Sequence, residues 1–531
     1  MKIVKICFIF LVLFTFSSCE LLNILLFEET PQEKRGSIGV LTRDNFDTYT
    51  SYSSNEITRE NCETDGEGDL FLIKYNKNNF DINGTSTGYV TNASRSIQTD
   101  ASLSEISGET SKFNRIDFRY SDDFLTENIY KNRSVDIINE NINQNYSVGS
   151  NKSFYIIPNL SNQKNYKLVN AELKYVSEYS YIWVVTDSNY KSSANLVNLT
   201  NKDYKKLGDM FDIIYPVETK VFGTFDYSTT DKYIEPSNKV SILIYDINSD
   251  SHSNQSSGTF GYFYAADLYK SNTTSNKCHI FYIDDYFTQY SGKYIYSTLV
   301  HEFQHMLNYI NKKIRNSNSN QIETWYTEML SLISEEMLQN TIGTDDENSP
   351  KNRLKIFNNY YYKGFTNWQE GNEVYIYYAN AYAFGAFLLR NFGGSALIKE
   401  IANNSYINQE SITTALRKLG YNEDFYSVCE KFAQVIIFTQ DCNKNNFYSL
   451  NRKIEEQYFT FDAIDLTSSS YANKINNYIF YGPFIFSPLE SDGLVDIGAN
   501  SFSVHYIGKN IKNTSYSLPT SNVKLKYFEC K

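Results

Sequence analysis

The chain has 531 residues, a net charge of -12 and an isoelectric point near 5.1. That length is enough for roughly two to four domains. The lysines are dispersed among acidic residues, so no basic surface is predicted and nucleic acid is not expected as a partner. The 46 Tyr and 36 Phe favour strands outside the helical part of the chain. We therefore predict an α+β fold with β-rich regions at both ends.

The first residues resemble a lipoprotein signal peptide. A basic segment at 2–5 is followed by an apolar run at 6–16, too short to span a bilayer, and then by small residues before Cys19. This pattern predicts a signal peptide at 1–18, with Cys19 lipidated at the start of a tether that ends at residue 36. An ordinary cleaved signal and an uncleaved anchor are the alternatives. All three place the body outside the cytoplasm, anchored to the membrane at the cell surface or periplasmic face, or secreted.

Strand patterns dominate the first half of the body. Residues 37–150 are predicted as a β-rich region with a clear strand at 69–75 and a polar, low-complexity linker at 83–121. A main domain at 151–440 then begins with strands and a helix at 201–215 that has Thr200 as its N-cap candidate. The strands are predicted at 153–157, 168–175, 181–186, 239–245 and 278–284, the second and third forming a hairpin around Glu178 and the last containing His279.

One helix, predicted at 294–313, carries His301, Glu302 and His305 in the order H-E-x-x-H. Residues four apart lie on the same helical face, so both imidazoles can reach one metal ion, with Glu302 beside it. The chain has only 5 His, which makes a chance match at this spacing rare. The alternative is an ordinary amphipathic core helix. That alternative buries three ionisable groups unpaired at a cost of several kcal/mol, so the pattern favours a metal site and a helical lobe from about residue 291.

A second helix, predicted at 322–338, should supply the third ligand, because a catalytic zinc takes three protein ligands and keeps one position open. The candidates are Glu323, Glu328, Glu335 and Glu336. We select Glu328. Glu335 follows it by two helical turns on the same face and is suited to accept a hydrogen bond from a ligand imidazole.

Four segments in this order, GTFGYF, CHIFYID, LVHEFQHMLNY and WYTEMLS, resemble the hyicolysin-like family of secreted metallopeptidases in the gluzincin group, over residues 171–440. The resemblance implies a gluzincin-like catalytic domain with one Zn²⁺ held by His301, His305 and Glu328, and Glu302 as the catalytic base. The family's usual Asn-Glu-Gly around the third ligand is Thr327-Glu328-Met329 here, which bears on the width of the cleft.

A further helix is predicted at 373–392, with glycines at its end. Gluzincins commonly supply a Tyr or His here to stabilise the oxyanion, which makes Tyr378 and Tyr382 candidates; plain packing is the alternative for both. Helices at 396–403, 411–419 and 423–438 complete the lobe. Residues 441–531 are predicted as a C-terminal β module, in which His505 is expected to be an exposed strand residue.

The predicted function is that of a zinc-dependent endopeptidase that cleaves extracellular proteins or peptides, with water activated by the metal and Glu302 as general base. Two alternatives stay open: a surface adhesin or binding lipoprotein on a degenerate peptidase fold, and a zinc hydrolase with non-peptide substrates. The mature chain has an odd number of cysteines without C-x-x-C spacing, so only a local bridge such as Cys429 with Cys442 is considered.

Overall fold

The computed structural model describes residues 68–82 and 145–530, except 163–164, 229–231, 372, 440–446, 476–477, 487–493, 513 and 518–523. Outside these ranges it describes only the backbone of strands at 32–35, 49–55, 59–62, 83–86, 89–91 and 114–116. The predicted signal peptide, Cys19 and Cys442 lie outside the described residues.

Within the described residues, strands alternate with helices in the middle of the chain and predominate towards its two ends. The strands are β1 (Gln32–Arg35), β2 (Tyr49–Asn55), β3 (Arg59–Cys62), β4 (Asp69–Tyr75), β5 (Ile82–Ser86), β6 (Tyr89–Thr91), β7 (Asn114–Ile116), β8 (Asn151–Ile156), β9 (Lys167–Val176), β10 (Ser180–Val185), β11 (Val240–Tyr245), β12 (Ser257–Thr259), β13 (Gly261–Phe263), β14 (Ile280–Asp284), β15 (Ile454–Glu455), β16 (Thr460–Phe461), β17 (Asn473–Ile475), β18 (Tyr478–Tyr481), β19 (Leu494–Ile497), β20 (Phe502–Lys509), β21 (Thr514–Ser517) and β22 (Lys524–Cys530). The α-helices are α1 (Asn201–Phe222), α2 (Asp285–Tyr290), α3 (Tyr294–Tyr309), α4 (Thr324–Ile342), α5 (Leu354–Tyr360), α6 (Val374–Asn391), α7 (Gly394–Asn403), α8 (Gln409–Lys418), α9 (Phe425–Phe432) and α10 (Gln434–Ile437). The mixed α+β prediction is confirmed.

A six-stranded sheet in the order β13-β14-β11-β10-β9-β8 forms the first layer of the main domain. Its central strands β10, β11 and β14 are parallel, and the strands at both edges are antiparallel. Every residue of β11 is buried, as expected for a strand covered on both faces. Ile242 and Ile244 face the core shared with the helices, whereas Leu243 and Tyr245 face a second core. The predicted hairpin around Glu178 is confirmed by the antiparallel β9–β10 pair.

Helix α1 is longer than predicted. Its start matches the expectation, because the amide and hydroxyl of Thr200 both donate to Asp203 Oδ2, at 3.0 and 2.7 Å. The predicted end at residue 215 is wrong: the helix runs to Phe222 through Pro216. A proline removes one helical hydrogen bond and normally breaks a helix. Here Val221 and Phe222 are buried in the main core, and their packing favours a continued helix.

The helical lobe is built around α3, α4 and α6, with α4 packed between the other two. The α-helix that begins at Tyr294 ends at Tyr309 and continues as a π-helical segment, Ile310–Arg315, so the single α-helix predicted at 294–313 is corrected in its last turn. The helix predicted at 423–438 is likewise divided at Ala433. Helix α6 ends at Asn391, followed by Gly393 with a φ of 99°.

Strands from the two ends of the chain share sheets. Strand β4 lies between β20 and β22, and all seven of its residues are buried. Strand β1, within the predicted tether, pairs with β18, and the predicted linker contains β5, β6 and β7. The regions predicted separately at 37–150 and 441–531 are therefore joined by backbone pairing over more than 400 residues of sequence.

His505, expected to be exposed, is fully buried, and that expectation is corrected. Strand β20 is covered on both faces, and the His505 ring stacks on Phe486 with the centroids 5.1 Å apart. The Nε2 atom lies 2.9 Å from Ser503 Oγ. Burial lowers the pKa of His505 well below its usual value. A strand that alternates polar and apolar residues can thus still be buried when partners cover its polar face.

Candidate metal centre

Helix α3 presents the two histidines of the H-E-x-x-H motif towards α4. The side chain of His301 is fully buried and that of His305 is 12% exposed, so solvent reaches the cluster on the His305 side. Their Nε2 atoms lie 3.0 Å apart, and the rings are nearly perpendicular at 84°. One helical turn separates the two residues, as the spacing of the motif requires.

Glu328 on α4 completes a three-residue cluster. Its Oε2 lies 3.2 Å from His301 Nε2, and its Oε1 lies 3.2 Å from His305 Nε2. Of the other glutamates considered as a third ligand, Glu323 is exposed at the start of α4 and Glu336 forms an ion pair with Arg390. The structure therefore brings Glu328 to the two imidazoles, and its role as the third metal ligand stays a prediction.

Each imidazole is held on its other nitrogen by a side chain of α4. His301 Nδ1 lies 2.8 Å from Glu335 Oε1, the contact anticipated from the spacing of Glu328 and Glu335. His305 Nδ1 lies 3.0 Å from Thr327 Oγ1 and 3.1 Å from Ser331 Oγ. These two hydroxyl groups were not predicted from the sequence. A signal was present, since Ser331 falls between Glu328 and Glu335 at helical i+3 spacing on the same face.

The cluster fits a divalent zinc ion. A hydrogen on Nδ1 of each imidazole leaves both Nε2 lone pairs directed at one another and at the carboxylate of Glu328. Three electron-rich groups at 3.0–3.2 Å repel one another in a buried site unless a cation lies between them. Tetrahedral zinc with arms of about 2.0–2.2 Å separates its ligand atoms by about 3.4 Å, close to these distances. Two imidazoles and one carboxylate are also a zinc donor set.

Glu302 lies on α3 against the edge strand of the main sheet. It is 1% exposed. Strand β13 comes so close that a Cβ atom on Gly261 would lie 3.3 Å from Glu302 Cγ and 2.9 Å from Thr298 Cγ2. The absence of a side chain at Gly261 thus makes room for Glu302 beside the sheet edge.

The two tyrosines of α6 have different surroundings from those expected for oxyanion donors. Tyr382 is fully buried and donates its hydroxyl to Glu336 Oε2 at 3.0 Å, in the same network as Arg390. Tyr378 is 1% exposed and packs against Trp368 and the guanidinium of Arg353. These contacts are those of packed core residues, so the packing alternative describes both side chains, and a catalytic role for either stays a prediction.

His279, assigned to a strand by the sequence, lies just before β14 and belongs to the core. It is 1% exposed, stacks on Phe225 at 4.3 Å and has its Nε2 atom 3.0 Å from the hydroxyl of Tyr227. Burial lowers its pKa to about 3. His279 therefore acts as a structural residue.

A second cluster of carboxylates lies where β11 and β14 end and consists of Asp246, Asp284 and Asp285. Its oxygens accept hydrogen bonds from backbone amides and hydroxyls: Asp284 caps α2 through the amide of Phe287, and Asp285 accepts two bonds from Ser192. These bonds organise the turns that lead from the sheet into the helical lobe.

The family model described as Peptidase M30 matches residues 178–475, more than half of the chain. The neutral metalloprotease ShpI of Staphylococcus hyicus is 30% identical over 292 residues, which cover 52% of this chain and 60% of that protein. The crystal structure of an M1 zinc metallopeptidase from Deinococcus radiodurans aligns at 8% identity and a TM-score of 0.27, over 52% of this chain and 51% of that one.

An α+β domain in which strands lead into a helix carrying H-E-x-x-H, with a glutamate from the next helix beside the two histidines, has the architecture of a metallopeptidase domain. The chain belongs to the Peptidase M30 family. The resemblance to hyicolysin-like metallopeptidases is thereby confirmed. The chain matches 60% of the length of ShpI, so the relationship concerns the domain rather than the whole of that protein.

Proposed function

We propose that this protein is a zinc-dependent endopeptidase. The observation that carries the proposal is the convergence of His301, His305 and Glu328, whose facing atoms lie 3.0–3.2 Å apart in a largely buried site. Membership of a peptidase family supports the reaction class. The relative ShpI is named a neutral metalloprotease, which supports a metal-dependent protease activity for this chain.

His301, His305 and Glu328 would hold the zinc ion. When bound, zinc supplies Lewis acidity that makes water acidic near neutral pH and polarises a carbonyl oxygen. Glu302, one residue after the first ligand, would take a proton from the attacking water and return it to the leaving amine. Glu335 holds the first imidazole in one orientation, with its hydrogen on Nδ1. The near-complete burial of these groups strengthens each electrostatic interaction between them.

The substrate would bind as an extended segment along β13. Within the described residues this strand is the end of the six-stranded sheet and pairs only with β14. A peptide can add to such an edge through backbone hydrogen bonds, with little demand on its sequence. Because Gly261 of β13 lies against Glu302, a segment bound there would pass close to the proposed base. This arrangement supports protein or peptide substrates.

The experiment measures hydrolysis of a reduced, alkylated protein by the purified chain. Internal fragments are identified by mass spectrometry. Glu302→Gln should keep its zinc and lose about 10²–10⁴-fold in rate, the usual contribution of a general base. Glu323→Gln, which changes an exposed glutamate immediately before the neighbouring helix, is the control and should keep its activity. Undiminished hydrolysis by Glu302→Gln would refute the assignment of the base. A purified chain with neither zinc nor activity would favour the adhesin alternative.

We also propose that the protein acts outside the cytoplasm, with Cys19 lipidated. The support is the sequence pattern at 1–19. No helix in the described part of the chain is long and apolar enough to cross a membrane. Metabolic labelling with a palmitate analogue should mark the wild-type chain and not Cys19→Ser, and equal labelling of both would contradict the proposal.

A further inference from the structure

The two histidines of the metal centre are oriented by different chemistry. His301 Nδ1 faces a carboxylate, that of Glu335, at 2.8 Å. His305 Nδ1 faces two hydroxyls, Thr327 Oγ1 at 3.0 Å and Ser331 Oγ at 3.1 Å. Both hydroxyls come from α4, one residue before and three residues after Glu328, so the helix that provides the third ligand also holds the second histidine.

The surrounding hydrogen bonds set the direction of the bond to His305. The hydroxyl of Ser331 donates to Gln304 Oε1 at 2.6 Å, and its one hydrogen is therefore used. Its oxygen can then only accept from His305 Nδ1. Thr327 Oγ1 already accepts a hydrogen bond from the side-chain amide nitrogen Nδ2 of Asn308 at 3.0 Å. It offers a second lone pair towards the same imidazole nitrogen. With the hydrogen on Nδ1, Nε2 of His305 keeps its lone pair for the metal.

We propose that Thr327 and Ser331 are positioning residues, which together hold His305 in the tautomer and orientation that bind zinc. Gln304, on the same helix as His305, fixes the direction of the Ser331 hydroxyl. The proposal rests on the zinc site proposed above and adds residues to it. It also explains why the residue before Glu328 is a threonine: its hydroxyl reaches the imidazole, and Ser331, one helical turn later, reaches the same nitrogen.

The hydroxyls of Thr327 and Ser331 are neutral, and this affects the strength of the bond between His305 and zinc. A hydroxyl raises the basicity of an imidazole less than a carboxylate does, so His305 is the weaker of the two histidine ligands. It is also the ligand that solvent reaches, with 12% of its side chain exposed. Zinc release should therefore begin at His305, and loss of the hydroxyls should accelerate that release.

The test measures the rate at which zinc dissociates from the folded full chain and is bound by a chromogenic chelator. Ser331→Ala and Thr327→Val should each release zinc about 10-fold faster than the wild type, and the double variant up to about 100-fold faster, the range for outer hydrogen-bond partners of a metal ligand. Ser334→Ala is the matched control. It removes a buried serine hydroxyl from the same helix, but one that donates to Glu218 and lies within hydrogen-bond distance of neither imidazole in the bonds described above. Its release rate should equal that of the wild type.

Two further measurements separate positioning from damage to the fold. Thr327→Ser restores the hydroxyl and should release zinc at the wild-type rate; release as fast as that of Thr327→Val overturns the proposal. Thermal unfolding of the zinc-free forms should be similar for Ser331→Ala and Ser334→Ala. A double variant that releases zinc at the wild-type rate overturns this proposal alone. A wild-type chain that binds no zinc refutes the proposed function, and this inference with it.

Discussion

Glu335 and Glu336 are consecutive residues of α4, yet their carboxylates serve different parts of the molecule. Glu335 accepts a hydrogen bond from His301 in the metal centre, and Glu336 forms a buried ion pair with Arg390 on α6. Successive residues of an α-helix are about 100° apart around its axis, so one helix can face two neighbours in this way. The same helix thus connects the metal centre to the core of the lobe.

Replacement of Glu335 should weaken zinc binding. Glu335→Gln keeps the shape of the side chain but removes the negative charge facing His301 Nδ1, so the imidazole becomes a poorer ligand. We expect about 10-fold weaker binding, the lower end of the range for such partners, measured by competition with a chelator. Glu323→Gln, immediately before the same helix, is the control. Equal zinc affinity of Glu335→Gln and the wild type would show that His301 does not depend on this carboxylate.

Replacement of Arg390 should instead destabilise the fold. Arg390 also donates to the backbone carbonyl of Asp462, so its guanidinium connects α4, α6 and the chain after the lobe. Arg390→Met leaves Glu336 buried without its cation, which costs about 3–5 kcal/mol in the free energy of unfolding measured with urea. The double variant Arg390→Met with Glu336→Gln should recover part of this loss. Strictly additive effects of the two changes would contradict the pairing.

Gly261→Ala should reduce catalysis without removing zinc. The new Cβ atom would lie 2.7 Å from the carbonyl oxygen of Tyr282 and 3.3 Å from Glu302 Cγ, so the strand or the proposed base must move. We expect a lower kcat with one zinc still bound. Gly208→Ala introduces comparable crowding, at 2.6 Å from Tyr175 Cδ1, on α1. An equal loss of kcat in both variants would assign the effect to general strain.

The stability of the protein should fall in acid because of His279. Burial lowers the pKa of His279 from about 6.5 to about 3, so between these values the unfolded chain binds a proton that the folded chain does not. The free energy of unfolding therefore decreases as the pH falls below about 6.5, by about 1.4 kcal/mol per pH unit for this one group. Stability is fully retained above that pH.

The check on this prediction is urea unfolding of His279→Gln between pH 3 and 6.5. The variant should show a shallower acid dependence than the wild type. His252→Gln, which changes an exposed histidine, should leave the dependence unaltered. A slope for His279→Gln equal to that of the wild type would contradict the assignment.

The proximity of His301, His305 and Glu328 could be predicted from the sequence because the geometry of this candidate metal centre is local. His301 and His305 are one helical turn apart, and Glu328 and Glu335 are two turns apart, so helical periodicity alone places each pair on one face. The side-by-side packing of the two helices then completes the cluster. Thr327 and Ser331 were missed because a hydroxyl carries no charge and gives no metal-ligand pattern of its own.

Other features depended on contacts between distant residues. The pairing of β4 with β20 and β22 joins residues more than 400 positions apart, and no local pattern indicates such partners. The burial of His505 follows from that pairing and from Phe486, so a strand-by-strand argument predicted exposure. The extension of α1 through Pro216 likewise depends on the core that receives Phe222. Local propensity was overruled by tertiary packing in each case.

The most direct test of the proposed zinc-dependent hydrolysis is reconstitution of the zinc-free protein. Zinc is removed with a chelator, and hydrolysis of an unfolded protein is followed as zinc is added back in known amounts. We expect no hydrolysis before addition and a linear return of activity that reaches its maximum at about one zinc per chain. The Glu328→Ala variant should regain no activity over the same range. Full hydrolysis by the zinc-free protein would contradict zinc-dependent catalysis. An equal response of Glu328→Ala would contradict the role of Glu328 as a zinc ligand.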